Sequence, residues 1–246
     1  MNNNLFTEKI GVIVQARMGS TRLPGKVMLP IMGESMLEIL IKRLQRLRYA
    51  DAVIIATTMD PKDDVIVETA TKAGVFFYRG DENDVLQRYY EAAKQNGLDV
   101  IVRITSDCPF SDPDLIDALI MTFLQKKVDY LSNTLVRTYP RGFDIEVFSF
   151  KALELAHLNA SLSYQREHVT PYIYENLNHA SFIGDEDSSP FRVTVDTPED
   201  FKLVKLIFEE LKNLPFIYCQ DVVSLIKARP DLMRINKEIK QKGLKA

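Results

Sequence analysis

Residues 10–47 read IGVIVQARMGSTRLPGKVMLPIMGESMLEILIKRLQRL, and this stretch decides the fold. Its first six residues, 10–15, form a short apolar run that is typical of a strand buried on both faces. From Met36 the apolar residues recur at the spacing of one helix face, at Leu37, Leu40, Ile41, Leu44 and Leu47. A strand, a polar loop and a helix in this order predict the first βα unit of a parallel sheet.

The same alternation continues along the chain. It predicts further strands at 52–57, 75–78, 100–104, 128–131, 143–150 and 191–195. It predicts helices at 63–73, 83–95, 113–125, 151–158, 164–176, 197–211, 220–228 and 230–242. We therefore expect a three-layer α/β/α fold with a mostly parallel, mixed central sheet. Because the pattern loosens after residue 131, we expect a flap insertion at about 132–190 within one domain spanning 1–246.

Composition excludes several classes of protein. The 246 residues are 46% hydrophobic and 26% charged, which indicates a folded globular chain. A net charge of -3 argues against a nucleic-acid-binding protein. Two cysteines, Cys108 and Cys219, are too few for a disulfide framework. With no signal-peptide pattern and no apolar run long enough to span a membrane, we expect a cytoplasmic protein with no membrane association.

The loop that follows the first strand, residues 16–26, has the composition of an anion-binding loop. Its glycines and cations are Gly19, Gly25, Arg17, Arg22 and Lys26. Glycine lets backbone amides approach phosphate oxygens, and the cations supply charge. The spacing fits neither a Walker A loop nor a dinucleotide fingerprint. The alternative interpretation is an ordinary βα loop with solvated side chains.

Two aspartates follow two of the expected strands directly. Asp107 comes after 100–104, and Asp196 comes after 191–195. Ligands of such sheets sit at the carboxyl ends of the strands, and two carboxylates there can share one Mg²⁺ ion. The alternatives are a turn cap at Asp107 and a helix N-terminus at Asp196, since Asp-Thr-Pro-Glu is a good helix start.

The loop 16–26, the TSDCP segment at 105–109 and the VDTPED segment at 195–200 together resemble the cytidylyltransferases that make CMP-activated sugars. The likeness is strongest to the spore-coat-polysaccharide cytidylyltransferase-like family, with similar segments GFDIEVF at 142–148 and REHVTP at 166–171. It covers roughly residues 10–205. The resemblance implies a nucleotide-diphospho-sugar transferase fold, CTP as donor, Mg²⁺, pyrophosphate as by-product and a homodimer.

The resemblance also implies roles for individual residues. Arg17, Arg22 and Lys26 would contact the triphosphate and act in catalysis, with Gly19 and Ser20 in the same nucleotide-binding loop. Asp107 and Asp196 would ligate magnesium, Asp107 as a catalytic residue. Backbone groups at Val14, Gln15 and Ala16 would approach the cytosine.

The acceptor half of the site is less defined by the resemblance. The sugar-binding segments of the enzymes for Kdo, an eight-carbon sugar acid, and for sialic acids have no match here, and Tyr139–Phe148 and Arg166–Pro171 occupy the corresponding stretch. The candidate acceptor contacts are Arg141, Asp144, Glu146, Arg166 and His168. For the first three the alternative is a solvated strand edge, and His168 is expected to contact the sugar or a second subunit rather than act as a base.

The resulting hypothesis is transfer of CMP from CTP to a sugar-acid-like acceptor. Rival hypotheses are a sugar-1-phosphate nucleotidylyltransferase, a non-catalytic nucleotide-binding regulator, and a glycosyltransferase of the same fold that uses Asp112 and Asp114. We expect the apolar residues between Leu153 and Tyr174 to meet a second copy of the chain, because they exceed what one flap helix buries.

Overall fold

The computed structural model describes residues 7–241 and 243, and a seven-stranded sheet forms its centre. The strands of the described residues are β1 (Ile10–Gln15), β2 (Pro30–Ile31), β3 (Glu34–Ser35), β4 (Ala52–Thr58), β5 (Phe76–Gly80), β6 (Val100–Thr105), β7 (Tyr130–Ser132), β8 (Glu146–Ser149) and β9 (His179–Ser181). In the central sheet the order is β5-β4-β1-β6-β8-β7-β9, while β2 and β3 pair separately. Only β8 runs antiparallel to its neighbours there, so the expected mostly parallel, mixed sheet is confirmed.

Helices cover both faces of this sheet. Within the described residues they are α1 (Met36–Leu44), α2 (Asp64–Lys72), α3 (Val85–Gln95), α4 (Pro113–Gln125), α5 (Phe150–Asn159), α6 (Ser163–His168), α7 (Pro171–Asn176), α8 (Pro198–Glu210) and α9 (Cys219–Ala228). Short 3₁₀ turns lie at Lys26–Met28, Pro61–Asp63 and Leu232–Arg234. None of the helices in this part of the chain is long and apolar enough to cross a membrane.

The two faces of β1 show why its sequence is apolar throughout. Val12 and Val14 pack in a core with α1, α2 and α4, whereas Ile13 packs in a second core with α3, α5 and α7. Successive strand residues point to opposite faces, so a strand covered on both sides has no polar face. A third core joins α8 and α9 to the loops around Phe110 and Phe143.

The region 132–190 supplies part of the sheet itself. β8 lies between β6 and β7, and β9 forms the edge beside β7. The sequence pattern did not predict β9. The helix expected at 164–176 is two helices, because the chain turns at Val169, which has φ of 72°, and Pro171 starts α7 without a backbone donor.

Two further expectations near the C-terminus are wrong. The segment 191–195 is extended, but only an isolated bridge between Arg141 and Arg192 pairs it, so it is no strand of the sheet. The helix expected at 230–242 is a single 3₁₀ turn at Leu232–Arg234, with residue 242 outside the described residues. Here the Asn236 side chain is buried and bonds to the Arg192 carbonyl, a tertiary contact that overrides local helix preference.

Candidate functional site

The loop after β1 is folded by its own backbone. The carbonyl of Met18 accepts hydrogen bonds from the N–H of Ser20 and of Gly25, each at 2.9 Å. Gly25 has φ of 69°, a left-handed conformation that a side chain would strain. The Met18 N–H in turn donates to Asp63 Oδ1 at 2.7 Å, and this carboxylate is buried. The loop therefore holds a defined shape at the carboxyl end of β1.

Lys26 is the centre of the candidate site. Its Nζ donates to Asp196 Oδ1 at 2.9 Å, to Asp107 Oδ2 at 3.2 Å and to the Val195 carbonyl at 2.7 Å. Arg22 Nη2 lies 3.0 Å from the same Asp196 Oδ1. The structure thus brings together four side chains from three distant parts of the chain that the sequence analysis singled out.

These groups are mostly withdrawn from water, and their charges set one another. The Lys26 side chain is 12% exposed and that of Asp196 is 11% exposed. Burial alone would raise the pKa of Asp196, but the cations Lys26, Arg192 and Arg22 hold that pKa at about 2. Burial alone would lower the pKa of Lys26, yet the two carboxylates raise it above its ordinary value. Lys26 and Asp196 are therefore both charged at neutral pH.

The donor set fits one cation between the two aspartates. Asp107 Oδ2 and Asp196 Oδ1 both accept from the Lys26 ammonium. The two carboxylates therefore already share one positive charge. No group of three or more His, Cys, Asp or Glu side chains suited to a metal was found in residues 7–241 and 243. Mg²⁺ commonly takes only one or two protein carboxylates and completes its shell with phosphates and water. The pair consequently suits a metal that arrives with a nucleotide.

A second group of side chains, Arg192 and its partners, contacts the other oxygen of Asp196 and was not predicted as part of the site. Arg192 Nη2 lies 2.9 Å from Asp196 Oδ2, and the same guanidinium contacts both oxygens of Asp200 at 3.0 and 2.9 Å. Asn236 Nδ2 donates to Asp200 Oδ1 at 2.8 Å. One signal for Asp200 was visible, since it stands three residues after Thr197 in a capping box for α8. Nothing in the sequence pattern indicated Asn236.

Arg17 lies apart from this cluster. Its Nη1 contacts Glu82 Oε1 at 2.9 Å, and both side chains are exposed. Gly19 lies beside the same carboxylate, where a Cβ would come within 3.2 Å of Glu82 Oε1. Ser20 Oγ accepts a long hydrogen bond of 3.4 Å from the Leu23 N–H. The structure places these three residues in the loop but gives them no contact with Asp107 or Asp196.

The backbone at the end of β1 is already used by the sheet. Val14 and Gln15 are in register with both β4 and β6, and the Ala16 N–H donates to the Ala56 carbonyl. The side-chain oxygen of Gln15, by contrast, is buried and has no hydrogen-bond partner among the residues that the structure describes. An acceptor atom without a partner in the described residues therefore lies within the segment 14–16, whose backbone was predicted to approach the cytosine.

The candidate acceptor residues in 141–146 differ in their surroundings. Glu146 is buried, with hydrogen bonds from the hydroxyls of Tyr130 and Thr170 at 2.6 Å each and an ion pair with Arg103. It belongs to the interior and lies on no strand edge.

The other two residues of this stretch are partly exposed. Asp144 makes a two-bond contact with Arg137 at 2.6 and 2.8 Å. Arg141 is half-buried, and burial together with nearby Arg137 lowers the pKa of its guanidinium. Both side chains retain access to solvent.

The remaining two acceptor candidates lie on α6. Arg166 pairs with Asp84, the residue that caps α3, and donates to the His157 carbonyl at 2.8 Å. His168 ends α6 and is partly exposed. The contact with Asp84 ties α6 to the start of α3.

Asp112 and Asp114 do not form a carboxylate pair. Asp112 caps α4 and also accepts from the Cys219 N–H at 2.7 Å, while Asp114 contacts the exposed Arg48 at 3.3 Å. The metal site that a glycosyltransferase would need at these positions is therefore not built.

Several known proteins resemble this chain in sequence, and one solved structure also resembles it closely in fold. A family model described as cytidylyltransferase matches residues 11–237. The spore coat polysaccharide biosynthesis protein SpsF of Bacillus subtilis is 32% identical over 241 residues, covering 94% of this chain and 97% of SpsF. A 3-deoxy-manno-octulosonate cytidylyltransferase of Solibacter usitatus is 36% identical over 130 residues, about half of each chain. The structure of a cytidylyltransferase from Leptospira borgpetersenii is similar with a TM-score of 0.89 and 36% identity, covering 95% of this chain and 100% of that one.

Proposed function

Because this chain belongs to the cytidylyltransferase family, we propose that it transfers CMP from CTP to a sugar acid and releases pyrophosphate. The acceptor class we infer is a Kdo-like or nonulosonate-like acid. The relative that matches about half of this chain is named for its action on 3-deoxy-manno-octulosonate. By analogy with SpsF, the product would serve synthesis of a surface polysaccharide or glycan.

One observation carries this proposal: Lys26, at the end of the loop 16–26, contacts both Asp107 and Asp196. Phosphoryl transfer needs a cationic surface for the triphosphate and carboxylates for its metal, with little covalent help from the protein. The cluster in which Arg22 and Lys26 contact Asp107 and Asp196 supplies both kinds of group.

In the proposed reaction an acceptor oxygen attacks the α-phosphorus of CTP in line, and the bond to pyrophosphate breaks. Arg22 and Lys26 turn from the carboxylates to the triphosphate and stabilise the charge that develops on the leaving group. Mg²⁺ held by Asp107 and Asp196 would supply Lewis-acid polarisation of the α-phosphate and ease deprotonation of the acceptor hydroxyl. The hydroxyl proton passes to water or to the departing pyrophosphate, so the protein positions the two substrates and needs no dedicated base.

Base selection follows from the Gln15 side chain. Cytosine carries an exocyclic amine, and uracil carries a carbonyl oxygen at the same place. The Oε1 of Gln15 has no hydrogen-bond partner within the described part of the chain, and it would accept from that amine once the side chain turns toward the base. If the amide keeps its oxygen toward the base, that oxygen is left unpaired against the uracil carbonyl, which favours CTP over UTP.

For the acceptor we retain Arg141, Asp144, Arg166 and His168, because these side chains keep some exposure. Glu146 takes a supporting role through Thr170, which follows the α6 segment.

We further propose a cytoplasmic homodimer that forms around the α5–α6 turn. Leu158 and Leu162 there are 71% and 50% exposed. Sedimentation at micromolar concentration tests the dimer, and Leu158→Lys should shift the protein toward a monomer.

The catalytic proposal is tested by pyrophosphate release. Each of the four nucleoside triphosphates is paired with a panel of sugar acids and sugar 1-phosphates. We expect release that requires CTP together with a sugar acid, and a CMP-linked product by mass spectrometry. Release only with sugar 1-phosphates would favour the rival nucleotidylyltransferase, and binding of CTP without turnover across the panel would favour a regulator.

A further inference from the structure

We infer that Arg192 is a positioning residue for Asp196. Arg192 contacts the buried Asp200 and binds one oxygen of Asp196, so that only the other oxygen is available to the metal. The inference rests on the proposed function, because it concerns the carboxylate that would bind the nucleotide's metal. It adds to that function a set of supporting residues and a preference among cations.

The two oxygens of Asp196 have different partners. Oδ1 contacts the side chains of the loop after β1, with Lys26 at 2.9 Å and Arg22 at 3.0 Å. Oδ2 lies 2.9 Å from Arg192 Nη2. Arg22 and Lys26 belong to the loop that would turn to the triphosphate, whereas Arg192 lies on the same segment as Asp196. Only the contact with Oδ2 is therefore independent of the nucleotide.

Each nitrogen of the Arg192 guanidinium has a partner. Its Nε and Nη2 contact the two oxygens of Asp200 at 3.0 and 2.9 Å, and its Nη1 donates to Gln241 Oε1 at 2.7 Å. A planar guanidinium with several fixed contacts has little freedom to rotate. Its 12% exposed side chain is also only weakly screened by water.

Asp200 does more than cap a helix. A capping box accounts for its bond from the Thr197 N–H at 3.2 Å. The same carboxylate also accepts from the Asp196 N–H at 3.0 Å and from Asn236 Nδ2 at 2.8 Å, and its side chain is fully buried. Through Asp200 and Arg192 together, both the backbone and the side chain of Asp196 are held. Partners that orient a metal ligand in this way commonly affect metal affinity about 10–100-fold.

A cation preference follows from the held oxygen. With Oδ2 occupied, Asp196 offers one oxygen, which suits the strict octahedral shell of Mg²⁺. A released Oδ2 would let the carboxylate bind through both oxygens, as Ca²⁺ readily accepts. Loss of the Arg192 contact should therefore weaken metal binding and shift preference from Mg²⁺ toward Ca²⁺.

Direct metal binding tests this without relying on activity. Mn²⁺ binding to the protein with CTP is measured by electron paramagnetic resonance as the loss of free Mn²⁺ beyond that caused by the same CTP alone, and Mg²⁺ and Ca²⁺ are then used as competitors. Arg192→Lys keeps the charge but loses the forked contact, so a purely electrostatic role predicts unchanged binding. The positioning role predicts about tenfold weaker Mn²⁺ affinity and a lower ratio of Mg²⁺ to Ca²⁺ affinity.

Two further variants complete the design. Arg48→Lys makes the same chemical change at an arginine that contacts Asp117 at 2.9 Å, and it should leave metal binding unchanged. Asn236→Ala removes one donor from Asp200 and should weaken Mn²⁺ binding in the same direction, which keeps the test valid if Arg192→Lys does not fold. Thermal unfolding monitors every variant.

The outcomes separate this inference from the function on which it rests. Absence of CTP-dependent Mn²⁺ binding by the wild type would overturn the proposed metal site, and the role of Arg192 with it. Normal wild-type binding, with folded Arg192→Lys and Asn236→Ala variants that match it in affinity and cation ratio, would overturn the positioning role alone.

Discussion

Replacing Lys26 by Met removes the cation at the centre of the charged cluster with little change in side-chain volume. The Lys26 ammonium contacts two carboxylates at 2.9 and 3.2 Å, and the Lys26 side chain is 12% exposed. A unit charge about 4 Å from a phosphate oxygen contributes about 4 kcal/mol at an effective dielectric constant near 20, before desolvation. Loss of one such donor to a transition state typically costs about 3–4 kcal/mol. We expect kcat/KM for CTP to fall by about 10²–10³-fold.

Stability should change less than activity. Asp196 keeps Arg22 and Arg192 in the variant, and Asp107 keeps the hydroxyl of Thr105 at 2.6 Å. We expect a loss of about 1–3 kcal/mol in the free energy of unfolding, measured by urea titration. The protein should therefore stay folded while its turnover collapses.

The assay for Lys26→Met is pyrophosphate release coupled to inorganic pyrophosphatase, at fixed acceptor and varied CTP. Lys42→Met is the matched control, because Lys42 is 63% exposed on α1 and pairs with the partly exposed Glu34 at 2.5 Å. Its kcat/KM should stay within about twofold of wild type. A folded Lys26→Met protein with kcat/KM within about threefold of wild type would refute the assignment of this loop to the triphosphate.

Three further predictions concern acid stability, base choice and the buried ion pair. Since the pKa of Asp196 lies at about 2 in the fold, below its ordinary 3.8, its contribution to stability is present above pH 4 and is lost as pH falls toward 2. Unfolding titrations of Asp196→Asn should therefore show about 2 kcal/mol less loss over that interval than wild type, and equal slopes would contradict this. Gln15→Ala should lower the CTP-to-UTP ratio of kcat/KM about tenfold, and an unchanged ratio would remove Gln15 from base recognition. Glu146→Gln leaves the Arg103 charge without its partner, so urea titration should show a loss of about 3–5 kcal/mol, and a loss below about 1 kcal/mol would contradict its interior role.

Local patterns were enough to predict most of the fold. Strand β1 and helix α4 begin and end where the sequence placed them, because two-sided burial, a Pro at the first helical position and the Asp112 cap act within a few residues. The segment 191–195 looked like a strand for the same reason, since Val193 and Val195 are buried. They pack in the third core without joining the sheet, a distinction that hydrophobicity does not encode.

The site was predictable only in its principal charged residues. Arg22, Lys26, Asp107 and Asp196 carried a signal, because each stands in a loop at the end of an expected strand. Asn236 carried none, since its contact with Asp200 joins residues 36 positions apart through tertiary packing.

Glu146 was predicted to contact the acceptor, but the structure places it in the interior. Its charge suggested a sugar contact, yet β6 lies beside β8 and brings Arg103 against it in the interior. Strand order, which periodicity does not determine, decided that outcome.

The central claim is that Arg22, Lys26, Asp107 and Asp196 bind one metal–nucleotide together. It is tested most directly by a crystal structure with CTP and Mn²⁺, in which anomalous scattering locates the Mn²⁺. We predict one Mn²⁺ peak between Asp107 and Asp196, with the triphosphate against Arg22 and Lys26 and the cytosine beside Gln15. A triphosphate bound elsewhere, or a Mn²⁺ peak away from both aspartates, would contradict the account.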